Sequence, residues 1–284
     1  MMTSPSTSDT VAILGGGNLG QALARGWVRA GRFTPSQVTV TRRQVDRLSD
    51  LAQAGFGVQA HSADAIGNTD LIVLAVQPRQ LPTLLAEIAP RIDASRHRII
   101  SVVSGASIAD IRSALGASVD VVRAMPNTAV VIGESMTCLA GESRAGESRA
   151  GESRAGGALD EARALFDLVG RTLLIPEEMI VPATALCACG VAFFLRTIRA
   201  AMQGGIEIGF HPEDAALLAA QTAKGAAALS LQEGAHPERE IDRVTTPRGC
   251  TIAGLNEMEH QGLSSAMIKG IVVSAKSAAG LYTG

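Results

Sequence analysis

The sequence predicts an α/β protein, with a doubly wound, mainly parallel sheet in its N-terminal part followed by an all-α C-terminal domain. Three observations predict it. An apolar run ends in a glycine cluster at the start of a helical pattern (VAILGGGNLG, 11–20). β-Branched apolar runs then alternate with amphipathic patterns as far as residue 175, and beyond residue 176 the alternation stops and long helical patterns take over.

A chain of 284 residues suits two domains and can bury a large core. The expected division is a tail at 1–9, a domain of alternating strands and helices at 10–175 interrupted at 141–157, and a helical domain at 176–284. With 27 acidic and 25 basic residues and no basic block beyond pairs such as Arg42-Arg43, neither nucleic acid nor an anionic membrane is an expected partner. A small molecule is. Cys138, Cys187, Cys189 and Cys250 have no CxxC spacing, so neither a zinc site nor a disulfide framework is expected, and a reducing cytoplasm accounts for free thiols. The first nine residues lack the charged and apolar regions of a signal peptide and read as a disordered tail. The longest uncharged apolar stretch, 181–195, is short for a bilayer span.

In chain order, 11–14 reads as a strand and the pattern from Asn18 as a helix, with Gly15, Gly17 and Gly20 in G-x-G-x-x-G spacing between and within them. The first glycine permits the tight turn, the second lets a pyrophosphate approach the backbone, and the third lets the helix pack closely on the strand. The free N–H groups of the helix start then face the phosphates, in a Rossmann-type arrangement. Leu14, Gly15, Gly16, Gly17, Asn18, Leu19 and Gly20 are the cofactor-binding residues this places in the turn.

A second strand at 37–41 and a helix at 44–54 continue the βαβ rhythm. Where an NAD site would end this strand in Asp or Glu, the chain has Thr41, Arg42 and Arg43, a hydroxyl and two guanidiniums suited to a 2′-phosphate. NADP(H) is therefore the preferred cofactor, with NAD(H) possible. Apolar runs at 70–76, 98–105 and 119–126 read as strands buried on both faces. Their carboxyl ends should line the ligand crevice, which adds Ala75, Val76, Gln77 and Pro78, then Val102, Val103 and Ser104, and a turn at 125–128. Pro78 opens a helical pattern over 81–92, and Ser107 is placed to cap another at 108–116.

Residues 141–155 are three copies of GESRA, too few and too polar to build a core, and read as an inserted surface loop. An amphipathic helix at 159–170 and a strand at 171–175 follow. The pattern over 182–209 is apolar nearly all round and needs covering on several sides. Helices at 212–232 and 263–279 supply part of that cover, and a second subunit is expected to supply the rest.

The second informative stretch is 235–262, in which a small polar turn at 245–251 runs into the helical pattern IAGLNEMEHQG. A hydroxyl beside free N–H groups at a helix start is a carboxylate or phosphate site.

Here the sequence resembles a family, the pyrroline-5-carboxylate reductases. That family's signature is roughly SPGGTTI-x-x-L after HP-x-x-L-x-D-x-V, and this chain has His236-Pro237, Asp242, Val244 and then TPRGCTIAGL. The resemblance extends to VAILGGGNLG, AVQP (75–78), RAMPNTA (123–129) and AAQTAKGAA (219–227), and so covers nearly everything except the GESRA insertion. It departs at Arg248 (a glycine in the family), Cys250 (Thr or Ala), Gln77 (usually Lys), Gln203 (often Asp), Ser62 (often an Asn beside the adenosine ribose) and LCACGVA over 186–192 (usually LSGSGPA).

The resemblance implies reduction of the C=N bond of 1-pyrroline-5-carboxylate by NAD(P)H to give L-proline. It also implies a homodimer, which can associate into a ring of dimers. Carried over by position, Thr246 and the N–H groups of Gly249 and Cys250 hold the carboxylate, and Thr251 hydrogen-bonds the ring nitrogen as the catalytic residue. Ser62 joins the cofactor site. His61, His97, His211, His236 and His260 are expected to be surface or capping residues. If position 248 requires positive φ, its arginine is strained.

Two rivals have a different signature. A β-hydroxyacid dehydrogenase needs a lysine followed four residues on by asparagine, and Lys224, Lys269 and Lys276 all lack it. A non-catalytic NADP-binding regulatory paralogue is the reading that the substitutions at 248 and 250 would favour.

Overall fold

The computed structural model describes residues 10–141 and 157–282, so the GESRA repeats after Gly141 and the first nine residues lie outside the described residues. The chain forms two compact units. The first runs through the sheet to Ala188 and is rejoined by the chain from Ser274 onward; the second is Cys189–Val273. The boundary expected at 175/176 falls inside the first unit.

The first unit is built on an eight-stranded sheet in the order β3-β2-β1-β4-β5-β6-β7-β8. The strands are β1 (Val11–Leu14), β2 (Val38–Thr41), β3 (Gly57–Gln59), β4 (Leu71–Leu74), β5 (Arg98–Ser101), β6 (Asp120–Met125), β7 (Ser135–Ala140) and β8 (Gly170–Leu174). All neighbours are parallel except β6 and β7, which pair antiparallel with Met125 opposite Cys138. Six of the strands follow the 3-2-1-4-5-6 order of a dinucleotide-binding sheet.

Side chains one residue apart enter opposite cores, which is why the strands read as unbroken apolar runs. Val11 and Ile13 join Val38, Val40, Val73 and Ile100 on one face, packed under Leu23, Trp27 and Phe166. Ala12 and Leu14 join Ile72, Leu74 and Ile99 on the other, under Leu81, Leu85 and Ile111. The flanking helices of this unit are α1 (Asn18–Arg29), α2 (Ser49–Gln53), α3 (Ser62–Ala65), α4 (Leu81–Ile88), α5 (Ile108–Leu115) and α6 (Ala158–Asp167). Ser107 caps α5 as expected, its hydroxyl accepting from the Asp110 N–H at 3.0 Å.

Several boundaries shift. Gln37 belongs to a 3-10 turn before β2, and the helix expected over 44–54 is a 3-10 turn (Val45–Leu48) followed by the short α2. The strands expected to run to 76 and 105 stop at Leu74 and Ser101, because the chain leaves the sheet there to form the crevice turns. β3 and β7 carried no signal: β3 has three residues, and Ser135 and Thr137 interrupt the apolar pattern of β7.

The helix expected over 182–209 is composite. α7 (Ile180–Ala183) passes into a π-helical turn (Thr184–Cys189) and then α8 (Gly190–Glu207). Pro182 lacks the N–H that α-helical bonding would use, and the Thr184 hydroxyl donates to the Ile180 carbonyl at 2.9 Å, both of which favour the wider turn. The helical run Glu177–Glu207 is long and apolar enough to cross a membrane by length and composition alone, with a mean hydropathy of 1.9 in its most apolar window. The uncharged part of that run, 181–195, remains short for a bilayer span.

In the second unit α8 packs on α9 (Pro212–Ser230), with Gly205 opposite Ala215 at the close approach. α10 (Pro237–Val244) and α11 (Cys250–His260) follow, and α12 (Leu263–Ala279) begins here. Phe194, Leu195, Ile208, Leu217 and Ile268 remain exposed, and Gly190 is the only buried residue of α8. An apolar helix this bare lacks the cover that its own chain was expected to supply only in part.

Trp27 is the largest fully buried side chain of the first unit. Its indole N–H donates to the Leu165 carbonyl at 3.1 Å, and its ring meets Phe166 edge-on at 5.7 Å. Trp27→Ala is expected to lower unfolding free energy by about 3–5 kcal/mol, read from the denaturant midpoint.

Candidate active site

The three turns expected to hold the cofactor lie at the carboxyl ends of β1, β4 and β5. Gly15 has φ +124°, and a Cβ there would collide with the Ala75 carbonyl. A Cβ on Gly20 would collide with the Gly15 carbonyl. Gly17 has open space where its Cβ would be, and it starts α1 without a side-chain cap. The first N–H groups of α1 have no partner within the helix by its geometry. A cradle of bare N–H groups with no side chain in front of it fits a pyrophosphate.

Leu14, Val102 and Val103 have buried side chains that belong to the two cores, so these residues can offer a ligand only backbone. Leu14 accepts from the Ala75 N–H at 2.8 Å, and Val102 donates to Leu74 at 3.0 Å. Ala75, Val76, Pro78 and Ser104 are half-buried and Gln77 is exposed. Gln77 and Gln80 form a reciprocal cap, and Arg79 Nε donates to the side-chain Oε1 of Gln77 at 3.1 Å.

At the end of β2 the three expected residues separate. Thr41 is 2 % exposed, and its hydroxyl lies 3.2 Å from that of Ser62. One hydrogen bond joins the two hydroxyls, and either can be its donor. The Ser62 N–H donates to Glu87 at 2.7 Å. Arg42 is half-buried and donates to the Gly16 carbonyl at 2.7 Å, so its guanidinium sits at the glycine turn, while Arg43 is exposed. Asn18 and Gly17 are exposed and Leu19 is half-buried.

Sequence reasoning missed Gln21, whose amide donates to the same Gly16 carbonyl at 3.0 Å, and Glu87, which caps α3 from α4. It also missed Arg123. An arginine inside the apolar run of β6 is a charge that must find a partner, and it does: Nη1 meets Glu177 at 3.2 Å, with the guanidinium almost fully buried. Burial pulls the Arg123 pKa below its ordinary value, and the Glu177 carboxylate opposes that shift. The same carboxylate accepts from the Ile108 N–H at 2.7 Å, tying the start of α5 to β6.

The turn expected to hold substrate lies in the second unit. Gly249, extended and without a side-chain cap, starts α11. Its N–H donates back to the Thr246 carbonyl at 2.9 Å, and a Cβ on it would collide with the Thr246 hydroxyl. The Gly249 N–H is thus used within the turn, a correction to its expected role with the carboxylate. Cys250 and Thr251 occupy the first helical positions, Cys250 and Thr246 exposed and Thr251 half-buried. Arg248 has φ +60° and is the one non-glycine residue with positive φ among the described residues. The condition set for strain at this position is met.

Of the histidines, His236 caps α10 by accepting from the Glu238 N–H, at 3.3 Å. His97 is buried, contrary to a surface placement, and its Nδ1 accepts from the Asp93 N–H at 2.9 Å. Burial, with Arg96 nearby, holds its pKa below the usual histidine value. Among the described residues no cluster of His, Cys, Asp and Glu could hold a metal ion.

A 3-2-1-4-5-6 sheet with a bare glycine turn and a basic second-strand end defines a nicotinamide-dependent oxidoreductase. Residues 10–105 match a family model described as NADP oxidoreductase, coenzyme F420-dependent, and residues 177–281 match one described as pyrroline-5-carboxylate reductase dimerisation. Pyrroline-5-carboxylate reductase 2 of Dictyostelium discoideum is 47% identical over 280 residues, covering 96% of this chain and 93% of that one. Reductase 1 of the same organism is 54% identical over 275 residues, and the chain spans half the length of that relative. The crystal structure of Plasmodium falciparum pyrroline carboxylate reductase with NADP bound has the same fold, at a TM-score of 0.84 and 20% identity, covering 97% of this chain and 98% of that one. The chain belongs to the pyrroline-5-carboxylate reductase family.

Arg42 serves the glycine turn as well as any 2′-phosphate, so the two arginines separate experimentally. Arg43→Ala should weaken NADPH binding roughly tenfold or more, the scale of a lost charged contact, and leave NADH nearly unchanged. Arg42→Asp should weaken both, and NADPH more. Dissociation constants for the two cofactors decide it; equal losses in both variants would remove the phosphate role.

Proposed function

We propose that the protein reduces 1-pyrroline-5-carboxylate to L-proline with NADPH. The observation that carries this is the match to a 47%-identical reductase along almost the whole of both chains. The first unit is the cofactor domain, with Gly15 to Gly20 at the pyrophosphate, Arg42 and Arg43 at the 2′-phosphate, and residues 75–78 and 102–104 along the rest of the dinucleotide. The open space at Gly17 and the family model over 10–105 support NADP(H).

Bound NADPH supplies the hydride. A protonated C=N is already electrophilic, so the side chains have little chemistry to do beyond positioning and excluding water. The Thr246 hydroxyl and the free N–H groups of Cys250 and Thr251 at the start of α11 receive the carboxylate. The Thr251 hydroxyl holds the ring nitrogen and steadies its proton. Arg248, held at positive φ beside these groups, adds charge at the rim of the turn.

The protein is a homodimer through the helical segment, and such dimers can form a ring. The bare apolar surfaces of Phe194, Leu195, Ile208 and Leu217 and the dimerisation model over 177–281 support this. That reading also accounts for the apolar run Glu177–Glu207 without a bilayer. Four free cysteines agree with a cytoplasmic protein.

NADPH oxidation measured with and without pyrroline-5-carboxylate tests the reaction, and no substrate-dependent oxidation would refute it. Thr251→Val removes one hydrogen bond to a charged partner, about 1.5–3 kcal/mol, and so should lower kcat/KM by about tenfold to hundredfold with NADPH affinity unchanged. Cys250→Ala should be nearly silent. Light scattering at micromolar concentration should show at least a dimer; a fully active monomer would contradict the assembly.

A further inference from the structure

Cys138 and Cys187 are 49 residues apart in sequence, yet their sulfurs lie 3.7 Å apart. Cys138 is on β7, paired on one side with β6 and on the other with β8, and is buried. Cys187 is half-buried and lies in the π-helical turn Thr184–Cys189. Their surroundings are apolar: Met125, Ala140 and Ile180, with Ile175, Ala183 and Ala188 at the margin. A disulfide requires a sulfur separation of about 2.05 Å. The gap that remains is small, and the π turn, which is not held in a ladder on both sides as β7 is, can close it more readily than the strand can.

We propose that Cys138 and Cys187 are a redox modification site, in which a hydroperoxide converts the pair to a disulfide and thereby changes turnover. The division of labour follows from their burial and the contact between them. Cys138 is buried and Cys187 only half-buried, so Cys187 is the sulfur a peroxide can reach and is the nucleophile. The thiol contact, in which either sulfur can donate, holds Cys187 below the usual thiol value, and the same contact with burial pushes the Cys138 thiol up. The Cys187 thiolate attacks a peroxide oxygen and the O–O bond breaks. Hydroxide, or an alkoxide, leaves and takes up a proton, and Cys187 becomes a sulfenic acid. The Cys138 sulfur then attacks the Cys187 sulfur, the S–O bond breaks, and the hydroxyl departs as water with the Cys138 proton. Two thiols lose two electrons and the peroxide gains them; a dithiol reverses the reaction by exchange.

The link to turnover runs through Asn127. Its side-chain amide donates to the Cys187 carbonyl at 3.1 Å, and its carboxamide oxygen accepts from the Ala129 N–H at 2.9 Å. Asn127 therefore ties the turn at the end of β6 to the residue that must move. Drawing Cys187 onto β7 displaces that carbonyl and with it a turn of the crevice. This half of the proposal rests on the function proposed above; the disulfide itself does not.

The full-length reduced protein, freed of reductant, is exposed to hydrogen peroxide and digested with trypsin. The expected product is a cross-link between the peptide containing Cys138 and that containing Cys187, with loss of two hydrogens from the intact mass and reversal by dithiothreitol. Cys189 lies in the same tryptic peptide, so the cross-link should persist in Cys189→Ser and vanish in Cys187→Ser. Cys138→Ser, or Cys138→Ala if the first does not fold, should stop at a dimedone-reactive sulfenic acid on Cys187. Oxidation should reduce wild-type pyrroline-5-carboxylate turnover by roughly tenfold or more, as displacement of a positioning group does, and Cys187→Ser should be insensitive. A cross-link made through Cys189 or Cys250, or none at all, overturns the site. The correct cross-link with unchanged turnover overturns the coupling and leaves the reductase assignment standing.

Discussion

The first unit depends on backbone packed against backbone at the end of β1. The Gly15 turn lies against Ala75, and the start of α1 lies against the Gly15 carbonyl, so closely that neither Gly15 nor Gly20 has room for a methyl group. This contact brings the bare N–H groups of α1 to the carboxyl edge of the sheet, where the β4 and β5 turns end. Gly16 donates to Thr41 at 2.7 Å, and its carbonyl takes both Arg42 and Gln21. The basic end of β2 is thereby fastened to the same turn. One steric constraint therefore sets the positions of the glycine turn and of the basic end of β2.

The helical segment is governed by the opposite condition, apolar surface in excess of what its own chain covers. Burying each Å² of such surface stabilises by about 25 cal/mol, so the bare side chains of α8, α9 and α12 provide a large driving force for association. The family's dimerisation model spans this segment. The same excess makes 177–207 resemble a membrane span by composition, which shows that hydropathy alone does not distinguish a lipid-facing helix from a subunit-facing one.

Arg248 and the Arg123–Glu177 pair place polar groups under constraint for different reasons. Left-handed backbone costs a non-glycine residue roughly 1–2 kcal/mol, and here it occurs in the threonine turn, where strain held by the surrounding structure is common at functional positions. The Arg123 pair is structural. It gives the charge inside the sheet its ion-pair partner through Nη1 and joins β6 to the start of α5, and removing Glu177 alone would leave that charge buried without its partner.

The sequence by itself determined the sheet class, both glycine and threonine turns and the family, because these depend on local rules: strand runs buried on two faces, glycines where no Cβ fits, and helix starts beside small polar residues. It also located the Ser107 cap and the possible strain at 248. Tertiary structure alone decided which of the named groups are available to a ligand. Thr41 is buried beside Ser62 and the Gly249 N–H bonds Thr246, while the side chains of Leu14, Val102 and Val103 are committed to the cores. It also decided that His97 is buried, that Arg123 meets Glu177 and that Cys138 meets Cys187. Each of these outcomes depends on a partner distant in the chain or on the path of a single turn, and hydrophobic periodicity carries no information about either.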